Sequence, residues 1–132
     1  ADLTDADLRD ADLTNAVLTK AVLERASLIN ANLVNANLTD AVGGADLESA
    51  LLMNANLDGA DLESSSLNNA DLRGANLTNA DLKYALLTNA DLAYATLTDA
   101  DLTDANLDGA DLTDATWTDG RICAQGSISY CR

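Results

Sequence analysis

The sequence contains no proline, no histidine and no phenylalanine, and only one tryptophan and two cysteines in 132 residues. Without proline, no position is barred from donating its N–H to a hydrogen-bonded ladder. Without histidine, acid–base catalysis near neutrality would need a carboxylate or lysine with a strongly shifted pKa. Basic residues are few: seven Lys and Arg stand against 22 Asp and Glu, a net charge of −15. That balance argues against binding to nucleic acid or to an anionic membrane surface, both of which call for basic patches. No apolar run is long enough to span a bilayer. Two cysteines without histidine do not make a four-ligand metal site.

What the sequence does have is a period of five. From Ala1 to Asp40 the unit Ala–Asp/Asn–Leu–x–x runs without slippage, departing only at its second position, at Val17, Val22 and Ser27. A four-residue unit, Ala41–Val42–Gly43–Gly44, interrupts it, and it resumes from Ala45 to Asp119. So strict a period marks a stacked architecture in which no unit can bury its apolar side alone. An α-helix does not fit, because a five-residue step turns each leucine by roughly 140° and leaves no buried stripe. A continuous strand does not fit either, since an odd period throws alternate leucines onto opposite faces.

A short extended segment followed by a turn does fit. Ala and Leu, two residues apart, point inward together, and the intervening Asp or Asn points out. The last two positions are rich in Thr, Asn, Asp, Gly and Ser, the residues that turn chains. Units such as Ala6–Asp7–Leu8–Arg9–Asp10 and Ala75–Asn76–Leu77–Thr78–Asn79 carry a resemblance to the pentapeptide-repeat family, extending over residues 1–124. The resemblance implies an all-β fold, a right-handed quadrilateral β-helix with four units per coil. For this chain that gives about six coils, a tube on the order of 29 Å long at the ~4.8 Å spacing between paired strands. Residues 1–119 would form the β-helix, with the irregular unit at 41–44, and 120–132 a capping loop.

Stacking units four apart predicts columns. One inward column reads Leu3, Leu23, Gly43, Leu62, Leu82, Leu102, Ile122, with a gap at Gly43 that the chain closes by cutting the corner or a neighbour fills. Another reads Leu18, Leu38, Leu57, Leu77, Leu97, Trp117. Indole is too wide for a rung sized to leucine, so Trp117 is expected to lie over the C-terminal end as a lid, with Ile122 beside it in the end cap. Outward, Asp61, Asp81 and Asp101 stack on one face and Asp71, Asp91 and Asp111 on the opposite one. A straight row of one residue type poorly matches the shell of six to eight oxygens that calcium prefers. Neither a metal nor a cofactor is therefore expected. The remaining acidity reads as solvation of the tube.

Apolar residues at outward positions are the informative exceptions. Val34, Leu51, Met53, Ala93 and Tyr94 share one face and make a candidate docking patch for a protein partner. The two cysteines, Cys123 and Cys131, lie outside the repeats, where they read either as a disulfide closing Ala124–Tyr130 or as two free thiols. The tail from Arg121 to Cys131 resembles the disulfide-closed C-terminal cap of pentapeptide proteins from the cyanobacterial and chloroplast thylakoid lumen. It implies an oxidising compartment, thylakoid lumen or periplasm, with cytoplasm as the alternative. The start at Ala1, inside a repeat, fits removal of a leader, and the uncapped first coil leaves its edge open to pairing.

No nucleophile–base pair, phosphate loop or cleft is evident, so the expectation is not an enzyme. It is a structural or protein-interaction module, a rigid acidic rod of unknown partner, monomeric or weakly associating end to end. The alternative is a mimic of duplex DNA that binds a type II topoisomerase, as the quinolone-resistance members of the family do by protecting gyrase. Against it, this chain has no Phe at any central position and ends in a cysteine loop.

Overall fold

A computed structural model describes all 132 residues. Its backbone is held by parallel bridges between residues 20 apart, reduced to 19 across the short unit, as in Ser27–Asp46 and Asn37–Asn56. Four faces result. The bridging residues of the first run Asp2, Val22, Val42, Asp61, Asp81, Asp101, and those of the second Asp7, Ser27, Asp46, Ser66, Leu86, Asn106. The third runs Asp12, Asn32, Leu51, Asp71, Asp91, Asp111, and the fourth Val17, Asn37, Asn56, Asn76, Thr96, Thr116. The extended segment of each unit is a single bridging residue rather than a strand, because a turn follows at once.

The hydrogen bonds of one unit explain its consensus. Leu77, at position three, donates its N–H to Thr96 O of the next coil at 2.7 Å, and Asn79, at position five, donates to Thr98 O at 3.0 Å. Asn76, at position two, donates back to Ala55 O at 2.9 Å, and Ala80 closes the turn on Leu77 O at 3.1 Å. Only the position-four N–H is left over, and Thr78 N donates to the side-chain oxygen of Asn76 at 3.1 Å. The same bond recurs from Thr4 N to Asp2 through to Thr113 N to Asp111. Position two is therefore Asp or Asn because its oxygen satisfies an amide that would otherwise have no partner. In the unit where Leu86 takes that place, Thr88 N turns instead to Asn68 Oδ1 at 3.1 Å.

Position five lies in the left-handed region, with φ of 53–63° at every non-glycine fifth position from Asp5 to Asp114. Asn, Asp and Gly tolerate that conformation best, which accounts for their frequency there. The inward Ala and Leu side chains form one continuous core, fully buried through the middle of the tube and partly exposed at Leu3, Leu8 and Leu13 and at Leu102 and Leu107.

At the interruption the chain cuts the corner. Gly43 stands where leucine would, at φ 110°, and a Cβ there would lie 2.7 Å from the backbone nitrogen of Glu24. Gly44 O still accepts Arg25 N at 3.1 Å, so the ladder survives the missing residue.

Residues 120–132 do not continue the parallel coil. The chain reverses, pairing Ile122 with Thr116 and Ile128 with Asp111 in antiparallel fashion. The Cys123–Cys131 disulfide is present, with sulfurs 2.11 Å apart. Directly opposed residues of an antiparallel pair point to the same side. Ile122 therefore shares the outward direction of Thr116 and is 61% exposed, which corrects its expected place on the inward column. Cys123 and Ser127 are fully buried instead, over Ala115 and Leu112. Trp117 is partly buried against the core and gives its N–H to Arg121 O at 2.7 Å.

Candidate functional site

Most of the wall is a flat array of short polar side chains, so features that break it stand out. The clearest is at the corner that follows the third face. There position four stacks Val34, Met53, Arg73 and Ala93, while position five stacks Asn54, Gly74 and Tyr94. Gly74 has no side chain to fill the row between its neighbours. An open depression of about 410 Å³ results, lined by Met53, Asn54, Arg73, Gly74 and Tyr94.

Of the expected patch, Met53 and Tyr94 line this depression, and Tyr94 is 65% exposed. Leu51 is exposed on the adjoining third face, and Val34 is half-buried one coil back. Ala93 is only 7% exposed and presents almost no surface, so it drops out of the patch as a contact residue. Arg73 was not anticipated. Its place 20 residues after Met53, at the same position of the repeat, is the signal that identifies it.

Arg73 is held from three sides. Its Nη2 lies 2.5 Å from Asp71 Oδ2 and 3.2 Å from Met53 Sδ, and its Nε lies 3.5 Å from Asp91 Oδ2. The hydrogen bond from Arg73 keeps the Asp71 carboxyl below its ordinary range, and Asp71 in turn raises the pKa of the guanidinium. The depression thus has a thioether and a phenol ring on its walls and a fixed cation between them.

The first face has a parallel arrangement without the apolar walls. Lys83 Nζ lies 2.7 Å from Asp81 and 3.2 Å from Asp101. Hydrogen bonds from the Thr103 hydroxyl and N–H, and then from Lys83, lower Asp101 from 3.8 to about 2. Side-chain cations thus sit between stacked aspartates on both acidic faces, which offsets the like-charge repulsion along each column. No three Asp, Glu or Cys side chains gather closely enough to hold a metal ion.

With this geometry in hand, comparison with known proteins is direct. The pentapeptide-repeats model matches in eight copies, over residues 1–41, 43–69, 55–92 and 80–116. The chain belongs to the pentapeptide-repeat family. Its fold is accordingly the right-handed quadrilateral β-helix. Among solved structures it is similar to the pentapeptide repeat protein Rfr23 from the cyanobacterium Cyanothece 51142. That match has 40% identity and a TM-score of 0.53, covering 73% of this chain and 63% of Rfr23. The chain thus spans less than two thirds of that relative. A pentapeptide repeat protein from the Arabidopsis thaliana thylakoid lumen matches at 25% identity and a TM-score of 0.63, over 98% of this chain and 82% of that one. QnrB1, a plasmid-mediated fluoroquinolone resistance protein, matches at 20% identity and a TM-score of 0.73, over 95% and 70%, a likeness of fold alone. Among curated proteins none matches the sequence.

Proposed function

We propose that this pentapeptide-repeat chain is a non-catalytic interaction module, a rigid acidic rod that holds a protein partner in an extracytoplasmic compartment. The observation that carries the reading is the Met53–Arg73–Tyr94 depression, a concave, partly apolar feature on a wall built mostly of short polar side chains. Methionine and tyrosine supply adaptable apolar contact, and both residue types are enriched in the cores of protein interfaces. A flat wall offers no cleft in which a reacting group could be held out of water. Val34 and Leu51 extend the contact surface.

The tail supports the compartment in this reading. A disulfide that joins Cys123 to Cys131 persists where thiols are oxidised, and the lumenal Arabidopsis relative supports the same reading. The alternative, mimicry of duplex DNA toward a topoisomerase, draws on the net charge of −15. It is weakened by Arg73 and Lys83, which sit between stacked aspartates and break the row of negative charge that a phosphate backbone presents.

The test is partner capture from the oxidising compartment of the native host, comparing the wild-type chain with Tyr94→Asp. Tyr94 is exposed at a left-handed position that Asp occupies elsewhere in the repeat, so the fold should survive. A partner retained by wild type and lost by the variant supports the depression as the contact. Equal retention would place the contact elsewhere, and inhibition of gyrase supercoiling by the purified chain would favour the alternative.

A further inference from the structure

The tail covers only half of the last coil. On the third face, Leu112 N donates to Ser127 O at 2.7 Å and Ser129 N to Ala110 O at 2.9 Å. On the fourth, Trp117 N donates to Arg121 O at 2.7 Å and Cys123 N to Ala115 O at 2.8 Å. Both faces are thus closed by an antiparallel segment that uses the position-three N–H and the position-one C=O. The tail then turns away: Arg132 N donates to Ser127 Oγ and Arg132 O accepts Ala124 N, each at 3.2 Å, beside the disulfide.

The first and second faces offer the same groups with nothing paired to them. Leu102 N and Ala100 O flank Asp101, and Leu107 N and Ala105 O flank Asn106. Leu102, Ala105 and Leu107 are partly exposed there, whereas Leu112 and Ala115 beneath the tail are fully buried. The carboxylates around this half-edge are Asp101, Asp104 and Asp108, and Lys83 is already paired with Asp81 and Asp101 and Arg121 with Asp119.

We propose that this half-edge binds an extended segment of a partner protein in antiparallel pairing, with apolar residues over Leu102 and Leu107 and basic residues facing Asp104 and Asp108. The tail itself demonstrates the pairing mode on the two neighbouring faces, and main-chain bonds of this kind are a general route to peptide capture at a sheet edge. Charge selects the occupant. A second copy of this chain would bring its own acidic end against Asp101 and Asp104, so self-pairing is disfavoured and a basic segment is favoured. The inference rests on reading the chain as an interaction module, but it concerns a surface separate from the Met53–Tyr94 depression.

The test uses three synthetic peptides of about ten residues, the length of an extended strand-forming ligand: alternating Lys and Val, alternating Glu and Val, and alternating Lys and Pro. Amide hydrogen exchange is followed residue by residue. The Lys/Val peptide is expected to slow exchange at Leu102 and Leu107 by about tenfold or more, as entry into a ladder does, with Leu77 unchanged. The other two peptides should leave these amides unprotected, one for its charge and the other for its missing N–H groups. Asp104→Lys, at a left-handed position of the kind Lys20 already occupies, should weaken the Lys/Val peptide by about tenfold or more. Tyr94→Asp should not weaken it, which separates a failure here from a failure of the lateral depression. Equal binding of the Lys/Pro peptide would reduce the effect to charge attraction and overturn the proposal. So would protection of Leu102 and Leu107 that rises with protein concentration alone, which would put a second copy on the edge.

Discussion

Ser65 Oγ accepts the backbone N–H of Ala45 at 3.2 Å, inside the core and across one coil. The two departures from the repeat are thereby linked. In a full unit the first-position amide closes a turn on the leucine three residues before it, but the four-residue unit 41–44 has lost that turn and leaves Ala45 N without its usual acceptor. The one regular unit that begins with serine instead of alanine, at Ser65, stacks on the unit that Ala45 opens just after the interruption.

Ser65→Ala therefore restores the consensus and is expected to destabilise the fold by about 1–3 kcal/mol, the cost of stranding a buried amide. Denaturant unfolding measures it. In a background where a leucine-containing five-residue unit replaces 41–44, the same substitution should cost close to nothing. An equal loss in both backgrounds would separate Ser65 from the interruption.

The period made the stacked tube and its inward Ala and Leu legible, because an odd repeat rules out both common helices and plain strands, whereas four units per coil came only from the family resemblance. The role of position two was not legible in the same way. Its Asp and Asn read as solvated surface until the ladder shows which N–H of each unit has no other acceptor. Ile122 was misplaced for a related reason. Counting in steps of twenty assumes that the chain keeps its direction, and nothing in the residues 120–122 announces a reversal. The patch around Met53 and Tyr94 was visible as outward apolar residues, but Arg73 between them becomes meaningful only in the column.

If position two matters for its oxygen more than for its charge, Asp91 distinguishes the two. Its Oδ1 accepts Ala93 N at 3.1 Å while Oδ2 lies 3.5 Å from Arg73 in a half-exposed pair. Asp91→Asn keeps the acceptor and should change stability by less than about 0.5 kcal/mol, as exposed ion pairs contribute little. Asp91→Ala should cost about 1 kcal/mol through the lost hydrogen bond. Matching losses in both variants would show that charge is what the site requires.

Core truncation sets the scale for these effects. Leu77 is completely buried in the middle of the tube. Leu77→Ala should lower stability by about 2–5 kcal/mol, measured by the same unfolding experiment. A loss below that range would mean that neighbouring coils collapse into the space.

Acid should act late and in one direction. With no histidine and both cysteines joined, no side chain of ordinary pKa titrates between about pH 5 and 8. The melting temperature should be nearly flat across that interval. Hydrogen bonds from Arg9 lower Asp7 to about 2, and those from Thr103 and Lys83 do the same for Asp101, against an ordinary 3.8. A carboxyl whose pKa is depressed on folding contributes stability that is complete above its unfolded value and lost as pH falls through the folded one. The decline should therefore run from about pH 4 down to about pH 2. A rise in stability over that interval would show that relief of the net charge of −15 outweighs the native hydrogen bonds of these carboxylates.

The disulfide should govern the cap and leave the tube alone. It closes the loop between Cys123 and Cys131, within the segment that buries Leu112 and Ala115. Short loops of this kind contribute about 2 kcal/mol, chiefly by limiting the unfolded chain. Because the tail contacts only the last coil, reduction should release protection locally. Exchange at Leu112, Cys123 and Ser129 is expected to quicken, while Leu57 and Leu77, several coils away, keep theirs. Uniform loss of protection along the chain would instead mean that the tube unfolds as a single unit from its C-terminal end, and that the cap sets the stability of every coil above it.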